Sequence, residues 1–171
     1  MHPPTPSVRP TLSTANSLRS VTADYLFAMI TIMNMPTLQQ LAHALRQAWS
    51  AETGYAGEGV WTKENPARGQ CVTSSLVVQD YFGGDIVRYQ VSGEDIDETH
   101  YFNILHDGTI VDTTKSQYSQ QANMIEKPID LKKNNFHTVR ERCLADEETK
   151  CLYETLKTRV EDVLRGSHID T

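Results

Sequence analysis

Apolar positions near the start of the folded part of the chain recur at helical spacing. Leu38, Leu41, Ala42, Leu45, Ala48 and Trp49 fall three and four residues apart. That period predicts an amphipathic helix whose stripe faces a core. Thr37 is a candidate N-cap, and Gln40 three residues on completes a capping box. His43 lies off the stripe and is expected to face solvent. Residues 71–82 (CVTSSLVVQDYF) read differently: they carry few charges and stop at Gly83-Gly84. The run length and the glycine pair predict a buried helix with Cys71 in its first turn. The β-branched Val72, Val77 and Val78 keep a strand reading open.

A period of two then takes over. Asp85–Val91, Thr99–Leu105 and Thr109–Thr114 read as strands, with Ser92–Glu98 as a polar, acidic loop and His106-Asp107-Gly108 as a hairpin turn. Two registers are open. A three-residue turn with left-handed Gly108 pairs Leu105 with Thr109, Ile104 with Ile110 and Phe102 with Asp112. His100, Phe102, Ile110 and Asp112 then share a face, and His100 and Asp112 are diagonal neighbours. A two-residue turn sets Asn103 opposite Asp112, on the face away from His100. The Ile104–Ile110 match favours the first. A last helix follows, with Asp146 as N-cap, a stripe of Leu152, Leu156, Val160, Val163 and Leu164, and Gly166 as its stop. Cys143 precedes this helix and Cys151 flanks its stripe; both read as structural thiols.

Between the first two helices, residues 53–70 contain Gly54, Gly57, Gly59, Pro66 and Gly69 and predict a long loop, the kind that often carries function. Residues 1–20, with Pro3, Pro4, Pro6 and Pro10, read as disordered. Residues 25–33 (YLFAMITIM) form a short apolar run after Arg9 and Arg19. Asp24 abuts the run and no small-residue cleavage pattern follows, which argues against a signal peptide. The favoured reading makes 1–34 an extension and 35–171 one α+β domain opening at Met35.

Composition narrows the function. The chain has 171 residues, 39% hydrophobic and 22% charged, with 16 basic against 22 acidic side chains and a net charge of −6. Mean hydropathy is −0.46. No uncharged apolar stretch reaches the ~18 residues of a membrane span. Without a basic run, neither nucleic acid nor an anionic membrane surface is an expected partner. Three cysteines without a CxxC pair fit reduced thiols in a cytoplasm.

Cys71, His100 and Asp112 are the residues whose order suggests chemistry. A cysteine at a helix start sits in the field of unpaired backbone N–H groups, which favours thiolate and can hold an oxyanion. An imidazole on a strand can take the thiol proton, and a carboxylate across the hairpin can orient the ring. The plainer alternatives are a core thiol, a solvated edge histidine and a turn-capping aspartate. Ligand spacing gives little support for a metal. There is no G-x-S-x-G elbow and no phosphate-binding glycine loop.

Three blocks together carry a resemblance. WTKENPARGQC (Trp61 to Cys71) continues to VVQDYFGG at Gly84; HYFNILHDGTIVD runs from His100 to Asp112; RERCLADEETK runs from Arg140 to Lys150. They resemble the YunG-like family of small bacterial proteins over residues 36 to about 164. More distantly, the plan looks like the papain-like NlpC/P60 group of cysteine peptidases and amidases. That resemblance implies an α+β papain-like core, with the cysteine helix packed on a small antiparallel sheet between flanking N- and C-terminal helices. It implies Cys71 as nucleophile, His100 as base and Asp112 as orienting residue, with no cofactor and no metal. Gln70 and Asn65 are candidates for oxyanion contacts, although Gln70 immediately precedes Cys71, whereas papain-type enzymes place their oxyanion glutamine several residues upstream. Trp61 is a candidate wall of the site. Arg68 either binds a substrate carboxylate or pairs with a surface acid, and Asn103 is the reserve third member. Two functions are therefore carried forward: a cysteine-dependent hydrolase or acyltransferase acting on an amide, ester or thioester of a small molecule or peptide, and a non-catalytic binding or structural module.

Overall fold

The computed structural model describes residues 35–56, 61–93, 96–118 and 122–167. The Pro-rich segment 1–20 and the apolar run 25–33 lie outside the described residues. Pro36–Thr171 forms its own compact unit. Its elements are α1 (Leu38–Ala48), α2 (Cys71–Phe82), β1 (Asp85–Gly93), β2 (Ile96–Ile104), β3 (Ile110–Val111), β4 (Asn123–Glu126), α3 (Val139–Leu144) and α4 (Glu147–Ser167). The strands form one antiparallel sheet in the order β3-β2-β1-β4.

Local chemistry accounts for the element ends. Thr37 and Gln40 form the capping box that starts α1. Gly83, in the left-handed region at φ 68°, closes α2 as its N–H donates to the Gln79 carbonyl at 2.9 Å. Gly84 is there for lack of a side chain: a Cβ would lie 2.3 Å from the Ile104 carbonyl oxygen. The next turn takes the three-residue form. Gly108 is at φ +83°, Leu105 N–H donates to the Thr109 carbonyl at 2.9 Å, and Ile104 pairs with Ile110.

α2 packs on the β2 face that carries Asn103, whose amide donates to the Ser75 carbonyl at 3.0 Å. Leu41, Leu45, Leu76, Val77, Leu156 and Val160 are completely buried where α1, α2 and α4 meet. Trp49 adds a buried hydrogen bond to Ser74 Oγ at 2.9 Å. On the rim, Asp80 holds α4 through Tyr153 and Lys157 and α3 through Arg140.

Several expectations need correcting. Most of Ser92–Glu98 is strand, with Val91 paired to Glu98 and Ser92 to Asp97. Polar side chains on an exposed ladder satisfy backbone bonds as well as apolar ones do. β3 is only Ile110–Val111, because Asp112 Oδ1 accepts the Thr114 N–H at 3.1 Å and turns the chain out of the ladder. β4, paired with β1, was not anticipated; its Ile125 is exposed, so no inside-outside alternation marks it. α3 was also missed. Asp146 caps α4 by accepting the Thr149 N–H at 2.8 Å, but the helix continues through Gly166 to Ser167. Cys143 is buried, whereas Cys151 faces solvent. Among the described residues no helix is long and apolar enough to cross a membrane.

Candidate functional site

Gln70 and Cys71 define the start of α2. Gln70 is the N-cap residue but provides no side-chain cap. Its amide is engaged elsewhere: Nε2 donates to the Ser50 carbonyl at 2.8 Å, and Oε1 accepts from Thr53 Oγ1 at 2.9 Å. A Cβ on Gly54 would lie 2.5 Å from that Nε2, so Gly54 is the clearance the amide needs. Gln70 thus fixes the loop to the helix start, and this engaged amide is not aimed at a substrate. The first-turn N–H groups of α2, left without a side-chain cap, surround Cys71. The Cys71 sulfur lies 4.0 Å from the Thr99 carbonyl oxygen, and the residue is 7% exposed.

His100 follows Thr99 on β2 and is completely buried. Its Nε2 lies 2.8 Å from Asp112 Oδ2. The other oxygen of that carboxylate holds the Thr114 N–H, so Asp112 cannot swing away without losing a second bond. The turn's register brings these two residues together across the hairpin. Cys71 lies near enough to act on the ring's titration. Gln117 Nε2 stands 3.2 Å from His100 Nδ1, and the Tyr118 ring meets the imidazole edge-on at 5.1 Å. With Nε2–H donating to Asp112, Nδ1 in the neutral ring is the acceptor, in reach of the Gln117 amide and the one ring nitrogen that can take a further proton.

Burial by itself pulls the His100 titration down. The hydrogen bonds to Asp112 and then to Cys71, with the charges of both, outweigh burial and hold it at about 9. Tyr118 is pushed above the usual tyrosine range, first by burial and then by the nearby Cys71 charge. Its hydroxyl and the Trp61 indole N–H are both buried without a hydrogen-bond partner among the described residues.

The remaining candidates divide. Asn65 Nδ2 donates to the Gln117 carbonyl at 3.2 Å, one residue removed from the imidazole's surroundings. Arg68 pairs with Glu98 at 2.8 Å. Asn103 is buried against α2 on the opposite face of β2 from His100. Gln117 and Tyr118 were missed. They enter through a short 3-10 turn, Lys115–Gln117, and nothing in their local pattern distinguishes them. Among the described residues no group of three or more His, Cys, Asp or Glu is placed to hold a metal.

A model of the YunG protein family matches residues 37–165, which span every residue of this constellation. The chain belongs to the YunG family. It is 32% identical over 81 residues to a Bacillus subtilis (strain 168) protein named "Uncharacterized protein YunG". That alignment covers 47% of the chain and 63% of the relative, less than two thirds of its length. No solved structure matches significantly. In YunG-family terms, this chain presents a mixed α+β domain with a four-stranded antiparallel sheet and flanking helices.

Proposed function

We propose that this YunG-family chain is a cysteine-dependent hydrolase or acyltransferase with a papain-like core, acting in the cytoplasm on an amide, ester or thioester of a small molecule or peptide. One observation carries the reading: a completely buried imidazole, tied by one ring nitrogen to a carboxylate, lies near enough to a cysteine at the uncapped start of a helix for that cysteine to raise its titration.

In this mechanism His100 takes the Cys71 thiol proton, and the sulfur adds to the substrate carbonyl carbon. The carbonyl electron pair moves to oxygen, facing the first-turn N–H groups of α2. Collapse of the adduct breaks the bond to the leaving group, which takes the proton from His100. Water or an acceptor, deprotonated by His100, then attacks the acyl-sulfur carbonyl and releases Cys71, which recovers its proton. Asp112 holds the ring in one orientation throughout.

A second reading has its own support. Cys71 belongs to the buried apolar cluster, so an inert core thiol in a non-catalytic module accounts for its burial. Limiting iodoacetamide separates the two between about pH 5 and pH 8, where thiolate content controls alkylation. The catalytic reading expects Cys71 to react faster than solvent-facing Cys151 at the acid end, and His100→Ala to abolish that advantage. Equal or slower labelling of Cys71, unchanged by His100→Ala, leaves the non-catalytic module.

A further inference from the structure

The opposite face of β2 holds a second, separate feature. His100 and Tyr101 are consecutive on a strand, so their side chains leave opposite faces. On the Tyr101 side lies a cavity of about 410 Å³ bounded by residues from β1, α3, the chain before it and the start of α4. That volume is within the usual range for small-molecule sites.

Its charges are unusual for so acidic a chain. Arg88, Lys133 and Arg142 all line it. Among the described residues none of the three forms an ion pair. Arg88 reaches only the Thr99 hydroxyl, at 3.4 Å, and the Arg142 guanidinium lies over the Phe136 ring at 5.9 Å. Two carboxylates share the wall, and both accept backbone hydrogen bonds: Asp146 caps α4, and Asp130 accepts the Lys133 N–H at 3.2 Å. The cations therefore exceed the acids by one, and their own hydrogen-bond capacity is nearly unused. The Tyr101 hydroxyl forms no hydrogen bond within the described protein, and the buried Cys143 thiol completes the lining.

Three cations against two carboxylates leave a net positive charge around one concavity, which attracts an anion. Two guanidinium groups and an ammonium, with a phenol as a further donor, match a multi-oxygen anion on a small organic body. We propose that this cavity is a binding site for a small organic anion, a carboxylate or a phosphate ester, held by Arg88, Arg142 and Lys133. Val72 lines the cavity, which therefore borders the helix start that carries Cys71, but the proposal does not rest on the thiol chemistry.

The test uses the full chain with citrate, phenyl phosphate and inorganic phosphate, each titrated against sodium chloride at matched ionic strength. Two readouts are followed: melting temperature, and alkylation of Cys143, which an occupant would shield. The expected result is a saturable rise in melting temperature with citrate or phenyl phosphate, and slower labelling of Cys143. The better of the two probes identifies the anion as carboxylate or phosphate ester. Saturation by inorganic phosphate alone, equal for wild type and variant, indicates general ion binding and overturns the proposal. Arg142→Gln and Lys133→Gln together should remove both effects; both side chains are exposed, so the variant is expected to fold. No saturable shift with any probe, or the same shift in the variant, also overturns the proposal.

Discussion

Replacing Asp112 with asparagine should weaken the fold most at mildly acidic pH and least near pH 9. His100 is completely buried, and burial favours the neutral ring, yet its bonds to Asp112 and Cys71 move its titration from 6.5 to about 9. Because the folded chain holds this proton more tightly than the unfolded chain, the resulting stability is fully present below about 6.5. It is lost as pH rises through about 9. At about 1.36 kcal/mol per tenfold change in proton affinity, the contribution is of order 3 kcal/mol. In Asp112→Asn the carboxylate charge is gone, only Cys71 still opposes burial, and the ring becomes neutral at lower pH. The variant should then lose up to about 3 kcal/mol near pH 6, narrowing toward the ~1 kcal/mol of a single hydrogen bond near pH 9. Urea unfolding of both proteins at several pH values across this window, followed by tryptophan fluorescence, gives the difference. Burial also pushes the Cys143 thiol up to about 11 and Tyr101 to about 12, so alkaline pH destabilises through them as well. Those effects are common to both proteins and cancel in the difference. A wild-type-minus-variant difference that is flat with pH, or that grows toward pH 9, refutes the coupling of His100 to Asp112.

Three further outcomes follow from the same contacts. Asn103→Ala should lower stability by about 1–3 kcal/mol, since it empties a buried polar position, while leaving the Cys71 alkylation rate unchanged; a slowed rate would restore Asn103 as a member of the site. Gly84→Ala should cost at least ~2 kcal/mol in thermal melting, because it adds a Cβ at positive φ against the Ile104 carbonyl; a neutral result would mean that the β2 end is free to shift. Gln70→Ala should cost about 1–3 kcal/mol through the unpaired Ser50 carbonyl and Thr53 hydroxyl, and should reduce Cys71 reactivity only as far as the helix start loosens. If Gln70→Ala abolishes Cys71 alkylation without a loss in melting temperature, Gln70 contacts the reacting group after all.

Short-range chemistry was enough for much of the frame. The Thr37–Gln40 box, the Gly83-Gly84 stop and the left-handed Gly108 are each settled within a few residues by sterics and backbone hydrogen bonding. They place α1, α2 and the hairpin. The Gly108 turn has one consequence beyond its neighbours: by choosing the register it also puts Asp112 diagonal to His100, which is why that pair was readable from sequence.

Features that join distant segments were not readable in this way. The loop around Ser50 and Thr53 holds the Gln70 amide, a contact that its adjacency to Cys71 does not reveal. Gln117 and Tyr118 surround the imidazole only because the chain turns back after Asp112. β4 pairs along an exposed edge where hydrophobic alternation carries no information. Arg88 joins Lys133 and Arg142 around one cavity, where Asp130 and Asp146 leave the cations in excess by one. A residue's own backbone preferences set where helices and turns begin and end, whereas the neighbours its side chain meets depend on how the whole chain packs. The first acts over a few bonds; the second depends on burial shared among many segments, and no local run of residues records it.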